Sequence, residues 1–134
     1  MESLETLLAE LASADDARAA RALSQLPQHG ELALDYLLEL LDSAQTDHRW
    51  WAAAALASID HPRSRRGLIQ ALTDSDSGVR QCAAAGLRRL PAPEAIPALI
   101  EALGAADRLF ARLASGALAV LGAELDSVAL ANTD

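Results

Sequence analysis

Three stretches of the sequence share one pattern: residues 51–59 read WAAAALASI, residues 82–90 read CAAAGLRRL, and residues 113–121 read LASGALAVL. Each stretch begins 31 residues after the one before. A second apolar set keeps the same interval, with Leu68, Ile69 and Leu72 recurring as Leu99, Ile100 and Leu103. Each unit therefore holds two helical patterns, A and then B. Units of this kind stack and share one continuous core, so the period predicts an α-solenoid.

The composition supports this interpretation. The 134 residues include 31 alanines and 25 leucines, and aromatic residues make up only 3 % of the chain. Alanine and leucine are strong helix formers, which predicts an all-α protein. The alanines cluster at 52–55, 83–85 and 114–117, at one phase of the repeat. We expect the A helices to meet their neighbours there through small side chains.

The 31-residue period, with prolines between the A and B patterns, predicts one domain over residues 1–134. We expect three full helix pairs at about 14–42, 46–72 and 77–103, followed by an A helix near 107–121. A leading helix near 2–12 resembles a lone B helix, and the tail AELDSVALANTD has the pattern of a B helix that stops early. This tail suggests either a piece of a longer array or an end that self-associates.

Residues 73–103 resemble HEAT repeats of the short subtype found in phycobilisome lyases. Asp74, Val79 and Arg80 stand where HEAT repeats carry an Asp and a Val-Arg pair, and residues 95–99 match the subtype's B-helix opening. The resemblance implies a right-handed solenoid of antiparallel helix pairs, tied by an Asp-Arg ladder between repeats. Arg49 continues the ladder upstream. Alanines replace both partners in the fourth repeat, so we expect apolar contacts alone at that junction.

Several function classes find no support in the sequence. The net charge of −8 argues against nucleic-acid binding, and no apolar run is long enough to span a membrane, so we expect a cytoplasmic protein. The histidines lack acidic ligands at helical spacing, which predicts no metal and no cofactor. Cys82 falls on an apolar face, where a small core residue is favoured over a reactive thiol. No catalytic constellation is recognisable, so we expect no enzymatic activity.

The departures from the repeat mark the candidate binding residues. Trp50 aligns with polar residues, so it either lies over an alanine-rich groove or contacts a partner. Arginines enrich residues 43–90, and Arg65 occupies an apolar position where its guanidinium needs water or a carboxylate. This basic band is either a solvated face with ion pairs or a surface for an acidic partner. The B-helix surface would carry the remaining candidates: Asp35, Glu39, Arg63, Arg66, Gln70 and Glu101.

These observations predict a scaffold or adaptor that binds another protein or a peptide on the solenoid surface. The resemblance to phycobilisome lyases offers a second hypothesis, a chromophore-handling protein. A nucleic-acid-binding solenoid is the least favoured alternative, because the basic band is short and acidic segments flank it.

Overall fold

The computed structural model describes the backbone of residues 2–131 and the side chains of residues 2–126. This part of the chain contains helices and no strand. Eight α-helices follow one another along the chain: α1 (Leu4–Leu11), α2 (Asp16–Gln25), α3 (Leu34–Leu40), α4 (Thr46–Leu56), α5 (Pro62–Ala71), α6 (Ser77–Arg89), α7 (Ile96–Ala102) and α8 (Arg108–Ala131). Two short 3-10 segments, Leu26–Ala33 and Pro93–Ala95, precede α3 and α7. The all-α solenoid predicted from the repeat is thus confirmed.

The A helices of the repeats are α2, α4, α6 and α8, which form the A row, and the B helices are α3, α5 and α7, which form the B row. Aspartate side chains cap three of the A helices. The backbone N–H of Val79 donates to the Asp76 carboxylate at 3.0 Å, and the N–H of Phe110 donates to Asp107 at 3.1 Å. Asp15 caps α2 in the same way. Each carboxylate satisfies an N–H that the first helical turn leaves without an acceptor. These aspartates therefore fix where α2, α6 and α8 begin, whereas α4 follows Gln45 without a side-chain cap.

The linker between α2 and α3 differs from the other linkers. A 3-10 segment fills residues 26–33, and Gly30 interrupts it with a φ of 54° and a ψ of −134°. A side chain disfavours this backbone conformation, so the glycine lets the chain turn there. Between its A and B patterns the first repeat is two residues longer than the later repeats, and this segment holds the extra residues. α3 begins after this segment, at Leu34.

Small residues bring the A helices together. Ala53, Ala84 and Ala114 are fully buried, and α6 packs directly against α4 on one side and α8 on the other. A Cβ built on Gly86 would lie only 2.9 Å from the Cβ of Ala57. In the B row, α3 and α5 make few contacts, and α5 and α7 make fewer. The core between the rows is filled by leucines, among them Leu37, Leu68 and Leu99, which are fully buried.

One step of the predicted ladder joins the second and third repeats. Arg49 Nε donates to Asp74 Oδ2 at 2.9 Å, and its Nη2 donates to Oδ1 at 3.2 Å. Both side chains are largely shielded from solvent. The same guanidinium donates to the carbonyl of Ser43 at 3.0 Å, so the ion pair also fixes the turn before α4. A buried, two-point pair of this kind sets the register between neighbouring repeats.

The next junction corrects one expectation. Apolar contacts alone were expected to join the third repeat to α8, but Gln81 Nε2 donates to Asp107 Oδ2 at 2.9 Å. The Arg80 guanidinium also lies 5.9 Å from the centre of the Phe110 ring, a cation-π distance. Gln81 is the repeat equivalent of Trp50. A polar residue outside the ladder motif thus replaces the missing ion pair.

The tail corrects a second expectation. Residues 123–131 continue α8 as one helix and do not form a separate B helix, while residues 132–134 lie outside the described part. No proline interrupts the segment, and a single Gly122 between good helix formers is tolerated within a helix. Within the described residues, α7 is therefore followed by an A helix but by no further B helix.

Candidate protein-binding surface

An ion pair links the first two B helices and includes two of the predicted site residues. The Arg63 guanidinium contacts the carboxylate of Asp35, joining α5 to α3. Beside this pair, His61 Nε2 lies 3.1 Å from Glu31 Oε2. The Asp35 side chain is 84 % exposed, so water screens the attraction. Asp35 and Arg63 thus neutralise each other on an open surface.

Arg65 has polar partners on both sides. Its Nη1 donates to Asp60 Oδ1 at 2.7 Å, and its Nε donates to the carbonyl of Pro91 at 3.1 Å. The apolar position that it occupies is therefore compatible with its charge. The bond to Pro91 ties α5 to the linker that follows α6. Arg65 therefore connects neighbouring repeats, and only part of its side chain is exposed to solvent.

Arg66 differs from its two arginine neighbours on α5. Its side chain is exposed, and no acidic group of the described residues lies within ion-pair distance. It borders a groove of about 440 Å³ between the start of α5 and the linker before α7. The groove is lined by Pro62, Arg65, Arg66, Pro91, Pro93 and Glu94. The Arg66 guanidinium, which has no ion pair among the described residues, therefore lies at a groove whose lining includes three prolines.

The other predicted residues do not converge on this groove. Gln70 Nε2 donates weakly to Asp42 Oδ1 at 3.4 Å. Glu39 is exposed and has no ion pair among the described residues. Glu101 lines a different groove of about 550 Å³, together with Arg80 and Phe110. The predicted set is thus spread along the B-helix surface.

Trp50 lies on the A row and is partly covered. Its side chain is 38 % exposed, and its ring meets Trp51 edge to face with the ring centres 4.8 Å apart. A Cβ on Gly78 would lie 3.8 Å from Trp50 Cδ1, so the next A helix borders the same ring. Edge-to-face packing stabilises both indoles. Trp50 therefore contributes to the stacking of the repeats and leaves one part of its ring in solvent.

Other groups with reactive chemistry are sparse. Burial raises the pKa of the Cys82 thiol to about 11, so the thiol stays protonated near neutral pH. The described residues contain no group of three or more His, Cys, Asp or Glu side chains arranged to hold a metal ion. In the same part of the chain, no helix combines the length and hydropathy of a membrane span.

Two further sets of residues contribute to the surface and were not predicted from the sequence. Asp107 sits at the third junction, where the Gln81 hydrogen bond, above all, and the N–H of Phe110 lower its pKa. Leu103, Arg108 and Arg112 lie together at the end of α7 and the start of α8, along a further groove. A comparison of burial between equivalent repeat positions is needed to detect this second set, and the sequence alone does not provide burial.

Comparisons with known proteins agree with this architecture. Residues 34–122 match the family model described as HEAT repeats. A chain in the structure of the complex of CpcE and CpcF of phycocyanin lyase from Nostoc sp. PCC7120 is similar in both sequence and structure. The two chains are 30 % identical with a TM-score of 0.76, over 87 % of this chain and 76 % of that chain. A search of curated proteins gives no match. This chain therefore belongs to the HEAT-repeat family.

Proposed function

We propose that this chain is a protein-binding helical scaffold and that the groove beside Arg66 receives an acidic segment of its partner. The observation that carries the proposal is a difference in ion pairing among the three arginines on α5. Asp35 neutralises Arg63 and Asp60 neutralises Arg65, whereas Arg66 has no such partner among the described residues. Family membership and the similarity to a chain from a protein complex support a protein partner.

The chemistry of the groove favours a carboxylate. A guanidinium binds a carboxylate through two parallel hydrogen bonds, which gives geometric specificity as well as attraction. The three prolines of the groove have few conformations to lose on binding. Glu94 lies on the same lining and repels acidic groups that approach from its side. The partner's carboxylate would therefore enter from the side of Arg66.

The remaining B-helix candidates would form a polar rim. Asp35, Glu39, Arg63 and Gln70 lie on α3 and α5, outside the residues that line the proposed groove. Rim charges influence association rate and specificity more than affinity. Glu101 and Trp50 lie elsewhere and would contribute only to an extended contact.

A photo-crosslinker at Gln70 tests this assignment in the organism that encodes the chain, with Ser115 on α8 as the control position. Crosslinking from residue 70 but not from residue 115 identifies the partner. Calorimetry with the purified partner then compares Arg66→Glu with Arg88→Glu, an exposed arginine on α6. We expect Arg66→Glu to weaken binding about tenfold or more, and Arg88→Glu to change it less than about twofold. Equal effects would contradict the proposed groove.

A lyase-like role is the second candidate, and the similarity to a chain from a phycocyanin lyase complex favours it. That similarity gives no support to the expectation of a protein without enzymatic activity. The test adds a bilin to the purified chain and follows its visible absorbance, first alone and then with apo-phycocyanin. A spectral shift or a covalent adduct supports this role, whereas an unchanged spectrum under both conditions counts against it.

A further inference from the structure

Leu103 breaks the burial pattern of its repeat position. Its equivalents Leu41 and Leu72 are 7 % and 4 % exposed, whereas Leu103 is 46 % exposed. Ile100, one helical turn earlier on the same face of α7, is 55 % exposed. Two large apolar side chains thus stand in solvent, whereas the preceding repeats bury the equivalents of Leu103 and half-bury those of Ile100, Leu38 and Ile69.

The preceding repeats show what normally covers this position. The backbone of α5 approaches α3 so closely at Gly67 that a Cβ there would lie 3.3 Å from Leu41 Cδ1 and 2.8 Å from Leu38 Cδ2. One repeat later, Leu72 lines a groove with Ala98 and Ala102 of α7. The next B helix therefore lies against Leu41, and it lines the same groove as Leu72. Since α8 continues to Ala131 as a single helix, Leu103 lacks this cover in the described structure.

The covering helices have a common chemistry. Gly67 and Ala71 on α5 correspond to Ala98 and Ala102 on α7, so small residues recur four positions apart. Residues with this spacing share one face of a helix. Their small size lets the helix backbone approach the leucines below. A helix that fits over Ile100 and Leu103 needs the same two small residues.

The charges beside Leu103 add a second requirement. Leu103 lines a groove of about 640 Å³ with Arg108, Arg112 and three alanines. Arg108 and Arg112 are exposed, and neither has an ion pair among the described residues. They stand four residues apart on α8 and so present two positive charges on one side of the groove. Carboxylates on the flank of a docked helix would be complementary to them.

We propose that the end formed by α7 and the start of α8 is a docking surface for one helix of another protein. That helix carries Gly or Ala at two positions four residues apart and acidic residues on its flank. It occupies the place that α5 and α7 occupy over Leu41 and Leu72. This surface is separate from the Arg66 groove, and the two proposals fail independently.

A peptide with the sequence of residues 94–104, EAIPALIEALG, is a suitable probe, because α7 itself is the helix that borders Leu72. A hydrocarbon staple on the face away from Ala98 and Ala102 keeps this short peptide helical. Fluorescence anisotropy then measures its binding to the full chain. A control peptide carries Ala98→Leu and Ala102→Leu, which removes the small face while retaining both glutamates. We expect the control to bind about tenfold more weakly or worse.

Variants of the protein separate the two requirements. Leu103→Asp should weaken binding about tenfold or more, whereas Leu32→Asp should change it less than about twofold. Leu32 is the matched control, since it is 75 % exposed and lies in the first repeat. Arg108→Glu with Arg112→Glu should weaken binding about fivefold or more, and a peptide with both glutamates changed to lysine should restore it. Ile100→Asp replaces Leu103→Asp if circular dichroism shows that the latter does not fold.

Three results would overturn the proposal. The first is an absence of binding at about millimolar peptide, which is weaker than any specific helix docking. The second is equal binding to the wild type and to Leu103→Asp. The third is a dimer in sedimentation equilibrium that Leu103→Asp dissociates, because this would assign the surface to a second copy of the chain. If Arg66→Glu weakens binding of the protein partner but leaves peptide binding unchanged, that result bears only on the groove beside Arg66.

Discussion

Arg49 of the second repeat and Asp74 of the third form a two-point ion pair in which their side chains are only 13 % and 10 % exposed. Removing Asp74 leaves the largely shielded Arg49 charge without a carboxylate. We expect Asp74→Ala to lower the free energy of unfolding by about 3 kcal/mol, as measured by urea denaturation. Asp35→Ala is the control, because its pair with Arg63 is exposed and contributes about 1 kcal/mol or less. Similar losses for the two variants would show that burial does not matter here.

Gly86 lies where α6 closely approaches the end of α4. A Cβ there would meet the Cβ of Ala57 at 2.9 Å, and this atom cannot rotate away. We expect Gly86→Ala to destabilise the fold by about 1 to 3 kcal/mol through overpacking, despite the better helix propensity of alanine. Gly122→Ala is the control, since nothing lies within 4 Å of its Cβ position. Thermal melting should show a lower Tm for the first variant only.

Ser64 is fully buried, and its Oγ has no hydrogen-bond partner in the part of the chain that the structure describes. Its repeat equivalents Ala33 and Ala95 are also fully buried but carry no polar atom. We expect Ser64→Ala to stabilise the fold by about 1 kcal/mol, because a buried hydroxyl without a partner loses its hydration. Urea denaturation measures the change. A clear loss of stability would mean that the hydroxyl is satisfied in solution.

Asp107 gives the third junction a pH dependence. Its pKa is lowered in the folded chain, chiefly by the Gln81 hydrogen bond and then by the Phe110 N–H. Because the folded pKa lies below the unfolded one, the stabilisation is complete above the unfolded pKa and is lost as the pH falls through the folded pKa. We expect Asp107→Ala to be less stable than the wild type at about pH 6, with the difference shrinking below about pH 4.

Urea denaturation at several pH values measures this difference. Gln81→Ala removes the largest cause of the shift, so it should move the Asp107 pKa upward in an NMR titration. A difference in stability that is constant from neutral to acidic pH would contradict the assignment.

Cys82 should react slowly with thiol reagents. Its pKa is raised to about 11 by burial, and only the thiolate is the nucleophile. At about pH 8 we expect the folded chain to react with Ellman's reagent at least about tenfold more slowly than the urea-unfolded chain. Similar rates for both states would reveal an accessible, ionised thiol.

The sequence by itself determined the fold. The interval of 31 residues, the alanines at one phase and the Asp-Arg motif were enough to predict stacked helix pairs, because packing in a solenoid repeats with the sequence. The Asp74 position likewise predicted a tie to Arg49.

Tertiary structure alone decided which polar residues are free. The sequence grouped Arg63, Arg65 and Arg66, and only the packed helices show that two of them are neutralised. The pair formed by Gln81 and Asp107 and the exposure of Leu103 likewise depend on how α8 runs. The physical reason is that a periodic pattern specifies which face of each helix is buried. The pattern does not specify which groups a long side chain contacts, or which element packs over the last B helix. Both depend on neighbouring repeats, whose sequences differ at those positions.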